Sequence, residues 1–140
     1  MEWNDNIDDP QGQLTWLGQI IRKNPQDGHA HYKLAEVYEY MNQDAEAAQY
    51  CRKAAELDPV NSLYWAFLVF LTIRLDSKKA FAALERLIET VPDEGDYNTQ
   101  RVIDELAYVD CDFAVKYISE LRRQGREDVA RVMERWIWNP

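Results

Sequence analysis

Apolar residues recur at intervals of three and four along most of the chain, which is the period of an amphipathic helix. In residues 11–24, Leu14, Leu17 and Ile21 fall on one helical face, and Pro25 follows the end of the pattern. A proline stops a helix because it lacks a backbone N–H and clashes with the preceding turn. The pattern therefore predicts a first helix that ends before Pro25.

Further apolar stripes follow, separated by short polar turns, one of which is expected at residues 76–79. Asp27 can cap the second predicted helix, and Asn61 or Ser62 can cap the fourth, because their side-chain oxygens can accept from a free backbone N–H of the first turn. Short connections favour antiparallel neighbours. We predict these further helices over residues 27–41, 45–57, 62–75, about 80–91, 102–109, 114–121 and 126–138.

Prolines recur at one pitch. Pro59 comes 34 residues after Pro25, and Pro92 comes 33 residues after Pro59. Each closes a helix and keeps it from running into the next one. The spacing predicts a repeated unit of two helices that ends in a proline.

The composition agrees with an all-α chain. Hydrophobic residues make up 46% and charged residues 29% of the 140 residues, which is the balance of a globular domain. Five glycines and five prolines are few for the many turns of an all-β fold. The segments are rich in residues that favour helix, so we predict a single all-α domain.

The net charge of −9 argues against nucleic acid as a partner, since phosphate binding needs a basic face. The N-terminal decapeptide is acidic and has no apolar centre, unlike a signal peptide. The longest apolar run, residues 63–73, would rise roughly 16 Å as a helix, against ~30 Å for the hydrocarbon layer. We therefore expect a cytoplasmic protein without a membrane partner.

No motif of catalysis, phosphate binding or metal binding is present in the sequence. His29 and His31 lie on different sides of a helix and cannot share a metal ion. Cys51 is expected in the core, whereas Cys111 falls in a predicted turn and could be a reactive thiol. We expect no enzyme, no cofactor and no metal site, and keep a redox role of Cys111 as the less favoured alternative.

The two-helix unit resembles the tetratricopeptide repeat. His31 replaces the tryptophan that is usual in this family, Cys51 replaces a phenylalanine, and Thr72 replaces a tyrosine. The first unit carries the family's residues at Leu34, Ala35, Tyr38, Ala47, Ala54 and Pro59, and the second carries them at Trp65, Leu68, Ala80, Leu84 and Pro92.

The resemblance implies a right-handed superhelix of stacked antiparallel helix pairs. No repeat can bury its apolar face alone, so helices at both ends are expected to cover the stack. The implied organisation is a flexible acidic N-terminus (1–10) and one helical domain (11–140), with a capping helix at 11–24, repeats at about 28–61, 62–94 and 95–124, and a second capping helix at 126–138.

In the family, the first helix of each repeat lines a concave groove that holds a segment of another protein. Proteins of the family that clamp a C-terminal carboxylate carry Lys and Asn where this chain has Tyr32 and Glu36, so that ligand is not expected. The implied groove residues are His29, Tyr32, Glu36, Glu39 and Tyr40 in the first unit, Leu63, Ala66, Phe70, Ile73 and Arg74 in the second, and Tyr97, Gln100, Asp104, Ala107 and Tyr108 in the third.

The predicted helix at residues 62–75 is apolar nearly all round, so something must cover Leu63, Phe70 and Ile73. The N-terminal segment or a tightly wound superhelix could cover them, and so could a partner or a second copy of the chain. Tyr32, Tyr40 and Tyr97 would be amphipathic anchors at the rim. Three carboxylates would favour a partner with a basic flank, namely Glu36, Glu39 and Asp104.

The sequence therefore predicts a protein-interaction module, an adaptor or chaperone-like protein. Its partner would be a protein or peptide segment that is apolar with a basic flank. The alternative is a self-associating structural subunit, a homo-oligomer held through Phe70, Ile73 or the Trp136 and Trp138 end.

Overall fold

The computed structural model of the protein describes residues 8–91 and 97–138. Within these ranges the regular structure is helical, without a strand, and the predicted all-α fold is confirmed. A short 3₁₀ helix, Leu106–Tyr108, continues the sixth α-helix. The α-helices are α1 (Pro10–Lys23), α2 (Gly28–Tyr40), α3 (Asp44–Leu57), α4 (Ser62–Thr72), α5 (Ser77–Thr90), α6 (Tyr97–Glu105), α7 (Cys111–Arg123) and α8 (Glu127–Trp138).

Both predicted side-chain caps are confirmed. Asp27 Oδ1 accepts a hydrogen bond from the backbone N–H of Ala30 at 3.0 Å. Asn61 Oδ1 accepts one from the backbone N–H of Leu63 at 3.1 Å. Each bond satisfies an N–H that has no partner within its helix.

The turn between α4 and α5 lies earlier than predicted. Asp76 Oδ1 accepts from the backbone N–H of Lys79 at 3.2 Å, so Asp76 caps α5 and the helix begins at Ser77. The turn therefore falls at residues 73–75. The sequence D-S-K-K predicts a turn, but its aspartate is a helix-start signal.

Pro25 and Pro59 follow the ends of α1 and α3, as predicted, while Pro92 lies outside the described residues. Of the N-terminal segment predicted to be flexible, residues 1–7 also lie outside them. Asp9 caps α1, its side chain accepting from Gly12 N, and Pro10 is the first residue of that helix. Helical structure thus begins slightly before residue 11.

A ring nitrogen contacts the carbonyl of the preceding proline in each of the first two units. His31 Nε2 lies 3.1 Å from the carbonyl oxygen of Pro25, and Trp65 Nε1 donates to that of Pro59 at 2.8 Å. Because a carbonyl oxygen can only accept, Nε2 of His31 carries the hydrogen. We call each pair a proline clasp. The clasp explains how a histidine replaces the tryptophan usual here: it keeps an N–H donor in the same place.

Small side chains let α2 and α3 cross closely. Ala35 of α2 is fully buried, as are Ala47, Cys51 and Ala54 of α3. Backbones approach where side chains are short, and the interior is then packed without voids. The predicted core positions of Cys51 and of His31, which is 7% exposed, are confirmed.

A second, smaller apolar cluster joins α1 to α2. Leu17 of α1 packs with Leu34 and Val37 of α2, and all three side chains are buried. The basis of this contact is the apolar stripe of residues 11–24. α1 thus packs on α2, and its role as a capping helix stays a prediction.

The helices after residue 96 do not repeat the pairing of the first two units. α2 packs with α3 and α4 with α5, but α6 packs on α4 and makes little backbone contact with α7. α7 instead forms a hairpin with α8, which also packs on α5. The helix pair predicted within residues 95–124 is therefore corrected. Gly125, with φ of +80°, turns the chain, and Arg122 Nη1 donates to Glu134 Oε2 at 3.0 Å across the hairpin.

Aromatic rings hold α7 against α5. The ring of Phe81 in α5 lies 5.2 Å from that of Phe113 and 5.1 Å from that of Tyr117, centroid to centroid. The Tyr117 hydroxyl donates to Glu85, which also accepts from Arg126. Burial raises the pKa of Tyr117 well above its ordinary value, and the hydrogen bond to Glu85 and that group's charge raise it further.

Candidate functional site

The residues predicted to line a groove fall into a buried and an accessible group. Glu36 and Glu39, which were expected to attract the basic flank of a partner, are both buried. The buried group consists of Tyr32, Glu36, Glu39, Ala66 and Ile73, none more than 7% exposed. These side chains do not line an open surface, and the expected role of Tyr32 as a rim anchor is corrected.

Packing between α2 and α4 buries Tyr32. Its ring stacks on Tyr64 at 5.0 Å and meets the edge of Phe67 at 5.6 Å, centroid to centroid. The Tyr32 hydroxyl donates to Glu36 Oε2 at 3.2 Å, and Lys33 Nζ lies 3.0 Å from the other oxygen of that carboxylate. A carboxylate can stay buried when it has such partners.

The buried carboxylate also affects Cys51. Loss of hydration raises the pKa of the Cys51 thiol well above its usual range, and the charge of Glu36 raises it further. The thiol donates to the backbone oxygen of Tyr64 at 3.2 Å. A buried thiol of this kind is protonated and chemically inert.

Residues of α4 and of the segment that follows it come together with α6 and the 3₁₀ helix to form an exposed aromatic surface. We call it the α4–α6 face and define it by Phe70, Arg74, Tyr97, Arg101 and Tyr108. Tyr97 is 72% and Tyr108 63% exposed, and Phe70 is partly buried against the core. Four of the five were predicted as groove residues, from the second and third units.

Arginines lie over the rings of this face. The guanidinium carbon of Arg74 is 4.1 Å from the centroid of Tyr108, and Arg74 Nη2 is 3.1 Å from Glu105 Oε2. The guanidinium carbon of Arg101 is 5.7 Å from the ring of Phe70 and 5.5 Å from that of Tyr97. All three guanidinium–ring separations are within the range of cation–π attraction.

Sequence reasoning missed Arg101 as a member of this face. A usable signal was present, because Arg101 follows Tyr97 by four residues, and side chains at that spacing are neighbours on a helix. Arg101 is also the basic residue within residues 89–112, a stretch that is rich in Asp and Glu.

The other predicted groove residues are spread over the surface. Leu63 packs partly buried against the main core, and Tyr40 against the cluster between α1 and α2. His29 lines a separate cleft between those two helices, beside the exposed Trp16. Gln100, Asp104 and Ala107 are exposed in α6 and the 3₁₀ helix.

In the part of the chain that the structure describes, no group of histidine, cysteine, aspartate and glutamate side chains is arranged to hold a metal ion. Over the same residues, every helix is too short or too polar to reach across a lipid bilayer. Of the two cysteines, Cys51 is buried and Cys111 is exposed, and both are free thiols.

The stacked helix pairs α2–α3 and α4–α5 define a helical repeat protein. Residues 28–61 match the tetratricopeptide repeat family. That range is the first unit of the sequence prediction, which is confirmed there. Repeats of this family generally mediate interactions between proteins. No curated protein matches the chain closely enough to count as a relative.

Proposed function

We propose that the protein is an interaction module, an adaptor that docks an apolar segment of another protein on the α4–α6 face. The observation that carries the proposal is the exposure of Tyr97 and Tyr108 beside Phe70. Exposed aromatic side chains grouped on one surface typify binding sites, because they bury a large area at low entropic cost.

Charge on this face differs from the expectation of an acidic groove. Glu36 and Glu39 are buried, Asp104 is exposed, and Glu105 is paired with Arg74. The groups beside the exposed tyrosines are the guanidinium groups of Arg74 and Arg101. Apolar and aromatic side chains of the partner are therefore the anchors in this proposal, and a basic flank is not required.

The test is a selection of displayed peptides on the immobilised protein, followed by affinity measurements with the enriched sequences. We expect apolar peptides whose affinity falls at least about tenfold in the double variant Tyr97→Ala, Tyr108→Ala. The matched control is Val115→Ala, since Val115 is an exposed apolar residue of α7. It should leave the affinity unchanged.

Two outcomes would reject this face as the binding site. One is an equal affinity of the selected peptides for wild type and for the tyrosine variant. The other is the absence of any peptide that binds better than its scrambled version. Both variants remove side chains that are more than half exposed, so folding is expected to persist, and circular dichroism checks it.

The self-associating subunit remains the second candidate, on a smaller surface than expected. Ile73 and Trp136 are buried, which leaves the partly exposed Phe70 and Trp138 for such a contact. Sedimentation at increasing protein concentration distinguishes the two candidates. The sedimenting mass of an adaptor stays the same at every concentration. The mass of a self-associating subunit rises with concentration, and the variant Trp138→Ala should abolish that rise.

A further inference from the structure

A cleft on another side of α4 is lined by unpaired cations. It lies between α3, α4 and α5 and has a volume of about 1060 Å³. Trp65 and Leu68 line it, and they lie on the side of α4 away from Phe70, because successive helical residues are rotated by about 100°. We call it the α3–α5 cleft, and its cations are Arg52, Lys78, Lys79 and Arg86, with Arg126, the residue before α8, at its edge.

Most carboxylates around the cleft are already bound within the fold. Glu85 and Glu89 both accept hydrogen bonds from Arg126. Asp76 accepts from the backbone N–H of Lys79, where it caps α5. Of the carboxylates that line the cleft, Glu56 alone has no such bond within residues 8–91 and 97–138.

The cations are in the opposite situation. Across the described ranges, no carboxylate lies within ion-pair distance of Arg52, Lys78, Lys79 or Arg86. The guanidinium carbon of Arg86 lies 5.3 Å from the ring of Trp65, which orients it at the cleft wall. Arginine and lysine can only donate hydrogen bonds. A ligand that binds these groups must therefore supply hydrogen-bond acceptors.

We propose that the α3–α5 cleft binds an acidic peptide segment of a partner protein. Its carboxylates would pair with Arg52, Lys78 and Arg86, and an apolar side chain between them would lie over the edge of Trp65. The surface is independent of the α4–α6 face, so the two proposals stand or fall separately.

The charges favour a peptide over a polyphosphate. Glu56 lies among the cations. Among the described residues, Glu85 and Glu89 share a single ion-pair partner, Arg126, so negative charge remains at the wall of the cleft. A ligand with a charge on every unit would meet repulsion there and from the net charge of −9. A peptide can place its carboxylates at intervals opposite the cations.

The experiment compares two pools of short synthetic peptides. In the first, Asp and Glu alternate with Phe, Leu and Trp, and in the second each acid is replaced by its amide. We expect wild type to bind the acidic pool better, with an affinity that weakens as salt is added. Fluorescence of the peptides or nuclear magnetic resonance of the protein reports the binding.

Charge reversal then locates the site. The variant Arg52→Glu, Arg86→Glu should lower the affinity for the acidic pool at least about tenfold. The matched control, Lys53→Glu with Lys116→Glu, changes the net charge equally at exposed positions that do not line the cleft. Its affinity should stay within about twofold of wild type. If the double variant does not fold, Arg52→Gln compared with Lys53→Gln makes the same test.

Several results would overturn the proposal. Equal losses of affinity in the cleft variant and the control variant would show that the overall charge of the protein, and not the cleft, attracts the acidic peptides. Equal binding of the acid and amide pools, or no binding, would exclude carboxylate recognition. A short oligonucleotide or inorganic polyphosphate that displaces the peptide at lower concentration, with the same sensitivity to Arg52→Glu, would make phosphate the ligand class.

Discussion

The first and third units of the chain are held together in different ways. In the first, small residues such as Ala35, Ala47 and Ala54 let α2 and α3 cross as an antiparallel pair. In the third, α6 contains no alanine, and its buried residues include Val102 and Ile103. α6 lies on α4, and α7 turns to α8 instead.

This difference shows that an apolar stripe is not sufficient for a tetratricopeptide pair. Both units have the helical period, but close crossing needs short side chains at the crossing point. α6 has no alanine for such a crossing, and α7 is attached to α5 by large aromatic contacts, namely those of Phe81 with Phe113 and Tyr117. Close crossing thus characterises the pair α2 and α3, and ring packing characterises the contact between α5 and α7.

Phe81→Ala should have the largest effect. Phe81 is fully buried, and its loss leaves a cavity between α5 and α7, at a cost of about 3–5 kcal/mol in the free energy of unfolding. Urea denaturation measures it, with the exposed Val115→Ala as control. We also expect amide exchange to rise more in residues 111–138 than in 28–61. Equal rises in both ranges would mean that the two halves are not attached differently.

Ala47→Leu tests the other half of the comparison. The added atoms must fit where Ala47 has no exposed surface, and overpacking costs about 1–3 kcal/mol. Ala45→Leu makes the same change at an exposed position of α3 and should stay within about 0.5 kcal/mol of wild type. Similar unfolding free energies for the two variants would contradict close crossing as the basis of this unit.

His31→Phe removes the proline clasp of the first unit. The N–H donor to Pro25 is lost while a ring remains, so we expect a loss of about 1 kcal/mol. His31→Trp, which restores an N–H at a position usual for tryptophan, is the comparison. Thr99, 34 residues after Trp65, has no ring, so the third unit lacks this ring donor. If His31→Phe is as stable as wild type, the clasp contributes nothing.

The smallest expected effect concerns pH. Because the pKa of Tyr117 is raised in the fold, the folded protein keeps that proton at pH values where the unfolded chain loses it. This stabilisation is complete below the unfolded pKa of about 10 and is lost as pH rises above it. As the pH is raised from neutral to strongly alkaline values, the stability of Tyr117→Phe should therefore fall less than the stability of wild type. Melting temperatures over that range measure it, and parallel curves would contradict it.

The fold was predictable where signals are local. The caps at Asp27 and Asn61 and the prolines that follow α1 and α3 depend on neighbouring residues alone. The pairing of α7 with α8 depends on which surfaces fit, which hydrophobic period does not encode. A stripe shows which side of a helix is buried, but not against which helix.

The candidate site was predictable in part for the same reason. The resemblance to the repeat family implies Phe70, Tyr97 and Tyr108 as groove residues, and in the structure Arg74 and Arg101 lie over their rings. The resemblance to the repeat family implies a groove position for Glu36, but its side chain is buried. Its burial depends on Tyr32 and Lys33 acting together, a three-residue arrangement that spacing alone does not show.

The burial of Cys51 has a practical consequence for experiments on this protein. Since one of the two thiols is enclosed and protonated, Cys111 is the position at which a maleimide dye or spin label will attach to the folded chain without mutagenesis. The label would stand at the start of α7, the helix held by Phe81. A single labelling reaction thus places a reporter on the half of the molecule whose attachment is in question.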